Sequence, residues 1–353
     1  MKSYDVTEWG KPLQARVRET PVPKGNEVLI RLTHCGVCHT DVHVRDGYFD
    51  IGGGKKLSLA DWGLKPPVTL GHEPLGIASA LGEAVSGVKI GGSYLVNPWI
   101  GCGACRMCAA GNDNLCANMR ALGIAAPGGF ATHIMVPNPR YLIDASGLDA
   151  ARTAPLACSG ATAYSMVKKL RPIDADDWVA VLGCGGLGLM AIALLRGMGH
   201  RKIVACDIDD SKIAILRNDA AVQPCNLKTE GLKRIKEIAP DGVYGMLDFV
   251  GRPETVALAF SALRKGGRFV LGGLIGGEIS LPIPVFGLRE ISILGSAVGT
   301  TRDIAELVGM VRAGKITLPE VDRRPLAMAE QSLGDLANGK VIGRVVLEVG
   351  SET

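Results

Sequence analysis

The chain has 353 residues, of which 47% are apolar and 21% are charged, and its formal net charge is only +4. A chain of this size can bury a full core and suggests two domains. Its 39 basic and 35 acidic residues form no dense run of Lys and Arg, which argues against a nucleic-acid partner. The N-terminal segment shows no signal-peptide pattern. We therefore expect a cytoplasmic protein, not attached to a membrane, with ten cysteines that are reduced or bind metal.

The first part of the chain consists of short apolar runs separated by turns rich in Gly and Pro. Examples are residues 27–34, 78–85 and 131–137. Runs of this length with such boundaries are typical of strands. The N-terminal part is therefore predicted to be an irregular, mostly β domain.

Four cysteines follow one another at intervals of two, two and seven residues, at Cys102, Cys105, Cys108 and Cys116. This spacing is typical of a tetrahedral zinc site made of four thiolates, which leaves no position open for substrate. Two alternatives are a nucleic-acid zinc module and a disulfide pair. The zinc module is disfavoured because such modules usually separate two ligand pairs by a longer gap. The disulfide pair is disfavoured because the chain shows no secretory context.

The segment from Trp178 to Leu195 is uncharged and long enough to suggest a membrane span. Glycines interrupt it, and it divides into a short β-branched stretch, a tight turn and an apolar stretch that ends near Gly197 and Gly199. This division predicts a buried strand followed by a buried helix.

Within that segment, Gly183, Gly185 and Gly188 form the pattern G-x-G-x-x-G between the predicted strand and helix. The pattern is typical of a turn that binds a dinucleotide pyrophosphate at the N-terminus of a helix. Asp207 ends the next apolar stretch, where a carboxylate can bind the ribose hydroxyls and repel a 2′-phosphate. The sequence therefore favours NAD over NADP. The alternative to a dinucleotide site is an ordinary glycine turn followed by a strand that ends in Asp.

Downstream, predicted helices at 210–217, 229–238 and 253–263 alternate with predicted strands at 243–250 and 268–273. Such alternation predicts a doubly wound parallel sheet. No low-complexity linker separates it from the β domain, so we expect the two domains to share a cleft that holds substrate.

Outside the cysteine loop, Cys38, His72 and Cys158 could supply two thiolates and one imidazole. Three protein ligands leave zinc a fourth position for a reactant, as in catalytic zinc sites. Each residue alone could instead be an ordinary core residue. Cys35 and Cys38 also form C-x-x-C, for which a redox dithiol is the alternative.

The chain resembles the zinc-dependent alcohol dehydrogenases of the medium-chain dehydrogenase/reductase superfamily, especially the microbial tetrameric type. The resemblance covers nearly the whole chain and rests on motifs in the family's order: GVCHTDVH, GHE, the four-cysteine loop, APLACSGATAY, GCGGLG with Asp207, and IGRVVLE. It implies a GroES-like, mostly β catalytic domain over 1–158 to which 298–353 return, and a Rossmann NAD-binding domain over 159–297. It also implies one catalytic zinc, one structural zinc and a homo-oligomer, more often a tetramer than a dimer.

The resemblance assigns a role to each matching residue. Cys38, His72 and Cys158 match the catalytic zinc ligands, and Glu73 matches a carboxylate that can approach the metal. Further matches are Asp41, which orients His72, and the proton relay of Thr40 and His43. Matches to coenzyme contacts are His39 and Arg344 at the pyrophosphate, Thr162 near the nicotinamide, Lys212 beside the adenosine ribose, and the turn residues Gly183, Gly185, Gly186, Leu187 and Gly188.

The predicted reaction is reversible hydride transfer between an alcohol, primary or secondary and aliphatic or aromatic, and NAD. Trp99 matches a position that lines the substrate pocket, and Trp62 is a second candidate for that pocket. Two alternatives remain open. One is a related dehydrogenase for a more elaborate hydroxyl substrate, such as a polyol, terpene alcohol or alicyclic acyl thioester. The other is a catalytically silent NAD-binding zinc protein.

Overall fold

The computed structural model describes residues 1–350, in which eighteen strands and eleven helices are formed. The strands are β1 Lys2–Val6, β2 Gln14–Val17, β3 Val28–Val37, β4 Tyr48–Gly52, β5 Lys55–Ser58, β6 Val68–Thr69, β7 Glu73–Leu81, β8 Ser93–Val96, β9 His133–Val136, β10 Leu142–Asp144, β11 Val179–Leu182, β12 Ile203–Asp207, β13 Val222–Asn226, β14 Val243–Asp248, β15 Leu263–Leu271, β16 Ser292–Gly295, β17 Val321–Pro325 and β18 Arg344–Glu348. The helices are α1 His39–Asp46, α2 Arg106–Ala109, α3 Ala150–Thr153, α4 Ser159–Lys169, α5 Gly186–Gly197, α6 Asp210–Ala214, α7 Gly231–Ile238, α8 Pro253–Ala262, α9 Ile283–Arg289, α10 Thr301–Arg312 and α11 Ala329–Ala337.

The N-terminal part of the chain is mostly β, as the sequence predicts. Its largest sheet has the strand order β10-β8-β7-β3-β18-β17, with β9 also paired to β3. The last strand, β18, comes from the C-terminal end of the chain and pairs antiparallel with β3. The C-terminal segment therefore completes the sheet that the N-terminal segment begins.

A second sheet has six parallel strands in the order β13-β12-β11-β14-β15-β16. Numbered by their order along the chain, these strands run 3-2-1-4-5-6, the order of a Rossmann fold. Because the order reverses between β11 and β14, a crevice opens at the carboxyl ends of these strands. The predicted doubly wound sheet is confirmed.

The segment with membrane-like composition forms β11 and α5, joined by the glycine turn. Both elements are buried in the protein: every residue of β11 is buried, and α5 buries seven of its twelve residues. In the described part of the chain, no helix has the length and apolar character that crossing a membrane requires.

The predicted helices of the parallel sheet are present, and α6 differs most from its predicted length. Helix α6 ends at Ala214 rather than near residue 217. After it, Leu216 N–H donates to the Ile213 carbonyl and Arg217 N–H donates to the Ala214 carbonyl, so the chain continues as tight turns. The side chain of Ile215 is exposed, while Leu216 packs against the core that contains Ile213 of α6.

Two apolar cores flank the parallel sheet, and one of them reaches into the β part. Leu75, Leu95 and Val346 of the large β sheet pack in the same core as Met166 of α4 and Met190 of α5. Burying these side chains together holds the two parts of the molecule against each other.

A polar cluster attaches α4 to α10. Lys168 Nζ donates to Asp303 Oδ1 at 2.5 Å, and the other Asp303 oxygen accepts from the Thr300 backbone N–H at 2.9 Å. Burial alone would raise the pKa of the Asp303 carboxyl, but the hydrogen bonds from Lys168 and Thr300 outweigh it and hold that pKa below its usual value.

We expect Asp303→Asn to lower the free energy of unfolding by about 1–3 kcal/mol at neutral pH. Because the pKa of Asp303 is lower in the folded chain than its unfolded value of about 3.9, the stabilisation is present above about pH 4 and is lost as the pH falls through the folded pKa. Denaturant unfolding as a function of pH should show that the free energies of unfolding of the unsubstituted chain and of Asp303→Asn converge at acid pH. The control is Asp241→Asn, which changes an exposed carboxylate. A constant gap between the curves down to low pH would contradict this account.

Candidate functional site

The three residues of the predicted catalytic metal site come together from distant parts of the chain. Cys38 is the N-cap of α1, His72 precedes β7, and Cys158 is the N-cap of α4. One ligand atom of each lies within 4.8 Å of the others, and all three side chains are buried. Two thiols and an imidazole at this separation fit one zinc ion with an open position.

The Asp41 carboxylate orients His72. Asp41 is fully buried, and its Oδ1 lies 3.0 Å from His72 Nδ1. Burial alone would lower the pKa of His72, but the Asp41 carboxylate raises it above its usual value. With Nδ1–H directed at Asp41, Nε2 is the buried atom that has no hydrogen-bonding partner in the described structure. A metal ion is the partner that this nitrogen lacks.

The two thiols of the site are in contact and compete for a proton, which shifts the pKa values of Cys38 and Cys158 in opposite directions. The hydrogen bond from the Cys158 thiol is the main cause that lowers the pKa of Cys38, and His72 lowers it further against the effect of burial. The same contact raises the pKa of Cys158. Because thiolates are the metal-binding form of cysteine, a cation placed between them removes this competition for the proton.

Glu73 does not belong to the group of metal-ligand atoms. Its carboxylate is fully buried, accepts from the Ser159 backbone N–H at 3.1 Å and forms an ion pair with Arg344. Burial raises the pKa of Glu73 to about 7, with the Arg344 charge opposing the shift. Arg344 is itself buried, and its Nε has no hydrogen-bonding partner in residues 1–350.

Trp99 packs against the metal-ligand group. Its ring centroid lies 5.7 Å from that of His72, and its indole N–H donates to the Ala157 carbonyl at 3.1 Å. Trp99, Cys38 and Cys158 belong to one buried cluster. Trp62, by contrast, is exposed and faces the cleft between the two sheets. The two indoles proposed for the pocket therefore occupy different places.

The four-cysteine loop has the dimensions of a zinc site. Sγ–Sγ distances are 3.5 Å between Cys105 and Cys108, 3.8 Å between Cys105 and Cys116, and 4.0 Å between Cys102 and Cys108. A tetrahedron with Zn–S bonds of about 2.3 Å has edges of about 3.8 Å. All four cysteines are free, which argues against the disulfide alternative. Backbone N–H groups of Ala104 and Cys105 lower the pKa of Cys102 to about 6 and so favour its thiolate.

Sequence reasoning missed the residues that support this loop. Asp113 Oδ1 accepts from Arg140 at 2.8 Å and from the Tyr141 hydroxyl at 3.0 Å, while the same hydroxyl accepts from the Gly101 N–H at 3.1 Å. These contacts tie the loop to the start of β10. No local pattern predicts them, because the partners lie 27 to 40 residues apart.

The glycine turn has the backbone shape that its motif predicts. Gly183 has φ of 86°, which favours glycine. A Cβ at Gly188 would overlap the Gly183 carbonyl oxygen, and one at Gly186 would overlap the Arg344 side chain. Space around Gly185 is open, as the approach of a pyrophosphate requires. Asp207 ends β12, and its Oδ2 accepts from the Cys184 N–H at 2.7 Å, so the carboxylate lies beside the turn.

The remaining predicted residues lie on helices around the cleft. His39, Thr40 and His43 are on α1, Thr162 is buried on α4, and Lys212 is on α6. Partial burial, with His39 nearby, lowers the pKa of His43 below its usual value. Its imidazole is therefore neutral near pH 7 and can accept a proton.

Comparison with known proteins agrees with this geometry. Residues 24–146 match the family model described as the alcohol dehydrogenase GroES-like domain, and residues 186–313 match the model described as zinc-binding dehydrogenase. The chain is 35% identical to an NAD-dependent alcohol dehydrogenase of Saccharolobus solfataricus and 34% identical to one of Sulfurisphaera tokodaii. Each match covers 98% of this chain and 99% of the relative.

The crystal structure of an alcohol dehydrogenase from Aeropyrum pernix has the same fold, with a TM-score of 0.88 and 32% identity over 99% of this chain and 100% of that one. The likeness is full-length in sequence and in structure. This chain carries both metal-ligand groups and the dinucleotide turn. It therefore belongs to the zinc-dependent alcohol dehydrogenases of the medium-chain dehydrogenase/reductase superfamily, and its coenzyme is NAD.

Proposed function

We propose that this chain oxidises an alcohol to an aldehyde or ketone at the site of Cys38, His72 and Cys158, with the reverse reaction at the same site. One observation carries the proposal: His72 Nε2 is buried, has no partner in residues 1–350 and faces two cysteines. The alcohol loses a hydride from carbon to NAD and a proton from oxygen, giving the carbonyl product, NADH and a proton. Zinc, when bound, supplies Lewis acidity that lowers the pKa of the alcohol.

We assign the proton path to Thr40 and His43. They are three residues apart on α1 and therefore lie on the same helix face. The Thr40 hydroxyl would accept the alcohol proton and His43 would receive it at the outer end of the path, with the coenzyme ribose hydroxyls available to bridge the two when the coenzyme is bound. The lowered pKa of His43 supports its role as a proton acceptor near neutral pH.

Glu73 and Arg344 link the metal site to the coenzyme. Arg344 packs against Gly186 at the start of α5, and its unpartnered Nε supports a contact with the coenzyme pyrophosphate. If Arg344 binds that anion, its ion pair with Glu73 would weaken, and the Glu73 carboxylate could then approach a metal held by Cys38, His72 and Cys158. Asp41 positions His72 and does not contact the substrate.

The other residues assigned to the coenzyme lie around the cleft between the two sheets. Residues of the glycine turn would cradle the pyrophosphate, His39 would contact it from α1, and Thr162 would lie near the nicotinamide. Asp207 would bind the adenosine ribose hydroxyls, with Lys212 beside them. The position of Asp207 at the end of β12 supports a preference for NAD over NADP.

We propose that the catalytic domain comprises residues 1–158 and 298–353, with the coenzyme domain at 159–297. The pairing of β18 with β3 supports this division.

We further propose a homo-oligomer, a tetramer rather than a dimer. Strand β16 is at an edge of the six-stranded sheet, and Ile283 and Leu288 on neighbouring α9 are 82% and 74% exposed. Ten free cysteines support a location in the reducing cytoplasm.

The first test is NADH absorbance after the protein is mixed with NAD and an alcohol. We expect NAD reduction that a metal chelator abolishes, with NADP a poorer acceptor.

Thr40→Ala should lower kcat by about 100-fold or more because the proton loses its first acceptor, while Thr40→Ser should keep most of the activity. Equal kcat values for the two variants would exclude Thr40 from the proton path.

The glycine turn offers a matched pair of variants. Gly188→Ala should lower Tm, because the added methyl group overlaps the Gly183 carbonyl and the strand and helix must separate. Gly185→Ala has open space in the protein alone and should leave Tm unchanged. It should nevertheless weaken NAD binding by about tenfold or more, because the methyl group occupies the path of the pyrophosphate. Calorimetric titration with NAD and thermal unfolding separate the two effects.

Metal analysis separates the two zinc sites. The protein should contain two zinc ions per chain, one for each group of ligands. Cys38→Ser should lose one zinc and alcohol oxidation while its fold remains. Cys105→Ser should lose the other zinc and lower Tm by about 5 °C or more. Cys35→Ser is the control, since Cys35 belongs to neither group, and it should retain both ions. Loss of zinc from that control would instead support a role for the Cys35–Cys38 pair.

A further inference from the structure

Cys206 and Cys225 are two free thiols that the proposed reaction does not use, and they lie side by side in the parallel sheet. Cys206 is on β12, Cys225 is on β13, and the strand register pairs them directly. Neighbouring strands lie about 4.8 Å apart, which is within the range of about 4.4–6.8 Å between the Cα atoms of a disulfide. The backbone therefore places the two residues at a separation that a disulfide can bridge.

The two cysteine side chains lie on the same face of the sheet. Side chains alternate between the faces along a strand, so residues that are paired directly share a face. Both thiols pack in one core with Val204 and Ile235. Cys184, a third thiol nearby, packs in the other core, and its thiol donates to the Cys206 carbonyl oxygen at 3.6 Å. Cys225 is therefore the thiol that faces Cys206.

Contact between the two thiols makes them chemically different. It is the main cause that raises the pKa of Cys206 and the main cause that lowers the pKa of Cys225. Burial opposes the lowering at Cys225, and the Arg234 charge assists it. Because the thiolate is the reactive form of cysteine, Cys225 is the thiol that an oxidant attacks first, and Cys206 is the neighbour that can complete a disulfide.

Cys225 is buried, but only a thin part of the protein covers it. Strand β13 is at an edge of the six-stranded sheet, and the Cys225 thiol donates at 3.6 Å to the carbonyl oxygen of Gly231, the first residue of α7. Residues 228–230, which lead into α7, are exposed, and among the eight described residues of that helix Ile235 alone is buried. A segment held by so few buried side chains opens locally at low cost, which gives a small oxidant access to the thiol.

The cysteine pair adjoins Asp207, the residue that follows Cys206. The Asp207 carbonyl oxygen accepts from the Leu227 N–H, just after β13, at 2.8 Å, while its carboxylate accepts from the Cys184 N–H of the glycine turn at 2.7 Å. Asp207 is thus tied both to the neighbouring strand and to the turn. A bond between Cys206 and Cys225 would draw their sulfurs to about 2.05 Å and pull on the ends of both strands, which moves the Asp207 carboxylate relative to the turn.

We propose that Cys206 and Cys225 form a reversible disulfide when the protein meets a peroxide, and that this modification weakens NAD binding by displacing Asp207. The Cys225 thiolate attacks one peroxide oxygen, the O–O bond breaks, and the other oxygen takes up a proton and leaves as water. The Cys206 sulfur then attacks the sulfenic acid at Cys225, whose hydroxyl leaves as a second water with the Cys206 proton. Two thiols are oxidised and one peroxide is reduced. The effect on NAD rests on the role that the proposed function gives to Asp207.

The test treats the zinc-loaded protein with hydrogen peroxide, blocks the remaining thiols with N-ethylmaleimide and digests the chain with trypsin without reduction. Cleavage after Lys and Arg places Cys206 in the peptide 203–212 and Cys225 in the peptide 218–228. Mass spectrometry should find these two peptides joined, lighter than their sum by two hydrogens, and separated again by a phosphine reductant. Calorimetric titration of the oxidised protein should show NAD affinity lowered by about tenfold, with recovery after reduction, because the carboxylate loses its position for hydrogen bonding.

Two cysteine variants serve as a matched pair. Cys225→Ser keeps a group that can donate to the Gly231 carbonyl, so it should bind NAD as the unsubstituted chain does and keep that affinity through peroxide treatment. Cys35→Ser removes a buried thiol far from this pair in the sheet order, and it should remain as sensitive to peroxide as the unsubstituted chain. Zinc analysis of the same samples shows whether the metal-ligand cysteines were spared.

The failures are distinguishable. If peroxide modifies other cysteines of the unsubstituted chain but the two peptides are never joined, the disulfide site is overturned, whatever the variants do. If the peptides are joined and NAD affinity is unchanged, or if Cys225→Ser loses affinity equally, the effect through Asp207 is overturned. If the reduced protein does not bind NAD at all, the proposed function is contradicted, and the joined peptides still decide whether the disulfide forms.

Discussion

The buried Asp41 carboxylate is the interaction on which the catalytic site depends. One of its oxygens accepts from the Cys38 backbone N–H at 2.9 Å, and the other accepts from the Gly71 N–H and faces His72 Nδ1, both at 3.0 Å. A fully buried carboxylate is costly unless its oxygens are hydrogen-bonded. Here each hydrogen bond fixes part of the metal site. The cost of burying one charge is thus offset by contacts that hold two metal ligands from different segments.

The third ligand ties the metal site to the coenzyme domain. Cys158 begins α4, and the next residue, Ser159, donates its backbone N–H to Glu73, the residue after His72. Helix α4 then packs with α5 of the Rossmann sheet in a core that also includes side chains from the large β sheet. Packed helices therefore fix the position of Cys158 relative to the glycine turn, and packed elements hold side chains more precisely than loops do.

Motifs within one segment were predictable from sequence, and contacts between distant segments were not. The cysteine loop, the glycine turn and Asp207 each carry their geometry in local spacing, and the parallel sheet follows from the alternation of its elements. Residue types alone suggested Cys38, His72 and Cys158 as a possible ligand set, and the family resemblance was needed to assign them to it, because spacing does not bring together residues that are 34 to 120 positions apart. The ion pair between Glu73 and Arg344 had no sequence signal, since the partners are 271 residues apart.

That ion pair depends on the pairing of the last strand with the first large strand of the β sheet. Arg344 begins β18, which pairs antiparallel with β3 so that Val345 lies beside Val37, the residue before Cys38. This register places the guanidinium next to Glu73 while its methylenes pack on Gly186 at the dinucleotide turn. A side chain from the coenzyme domain alone could not reach the metal site with this backbone support. The last strand therefore contributes a cation that contacts both Glu73, next to the ligand His72, and Gly186 at the dinucleotide turn, and the six parallel strands lie between β3 and β18 along the chain.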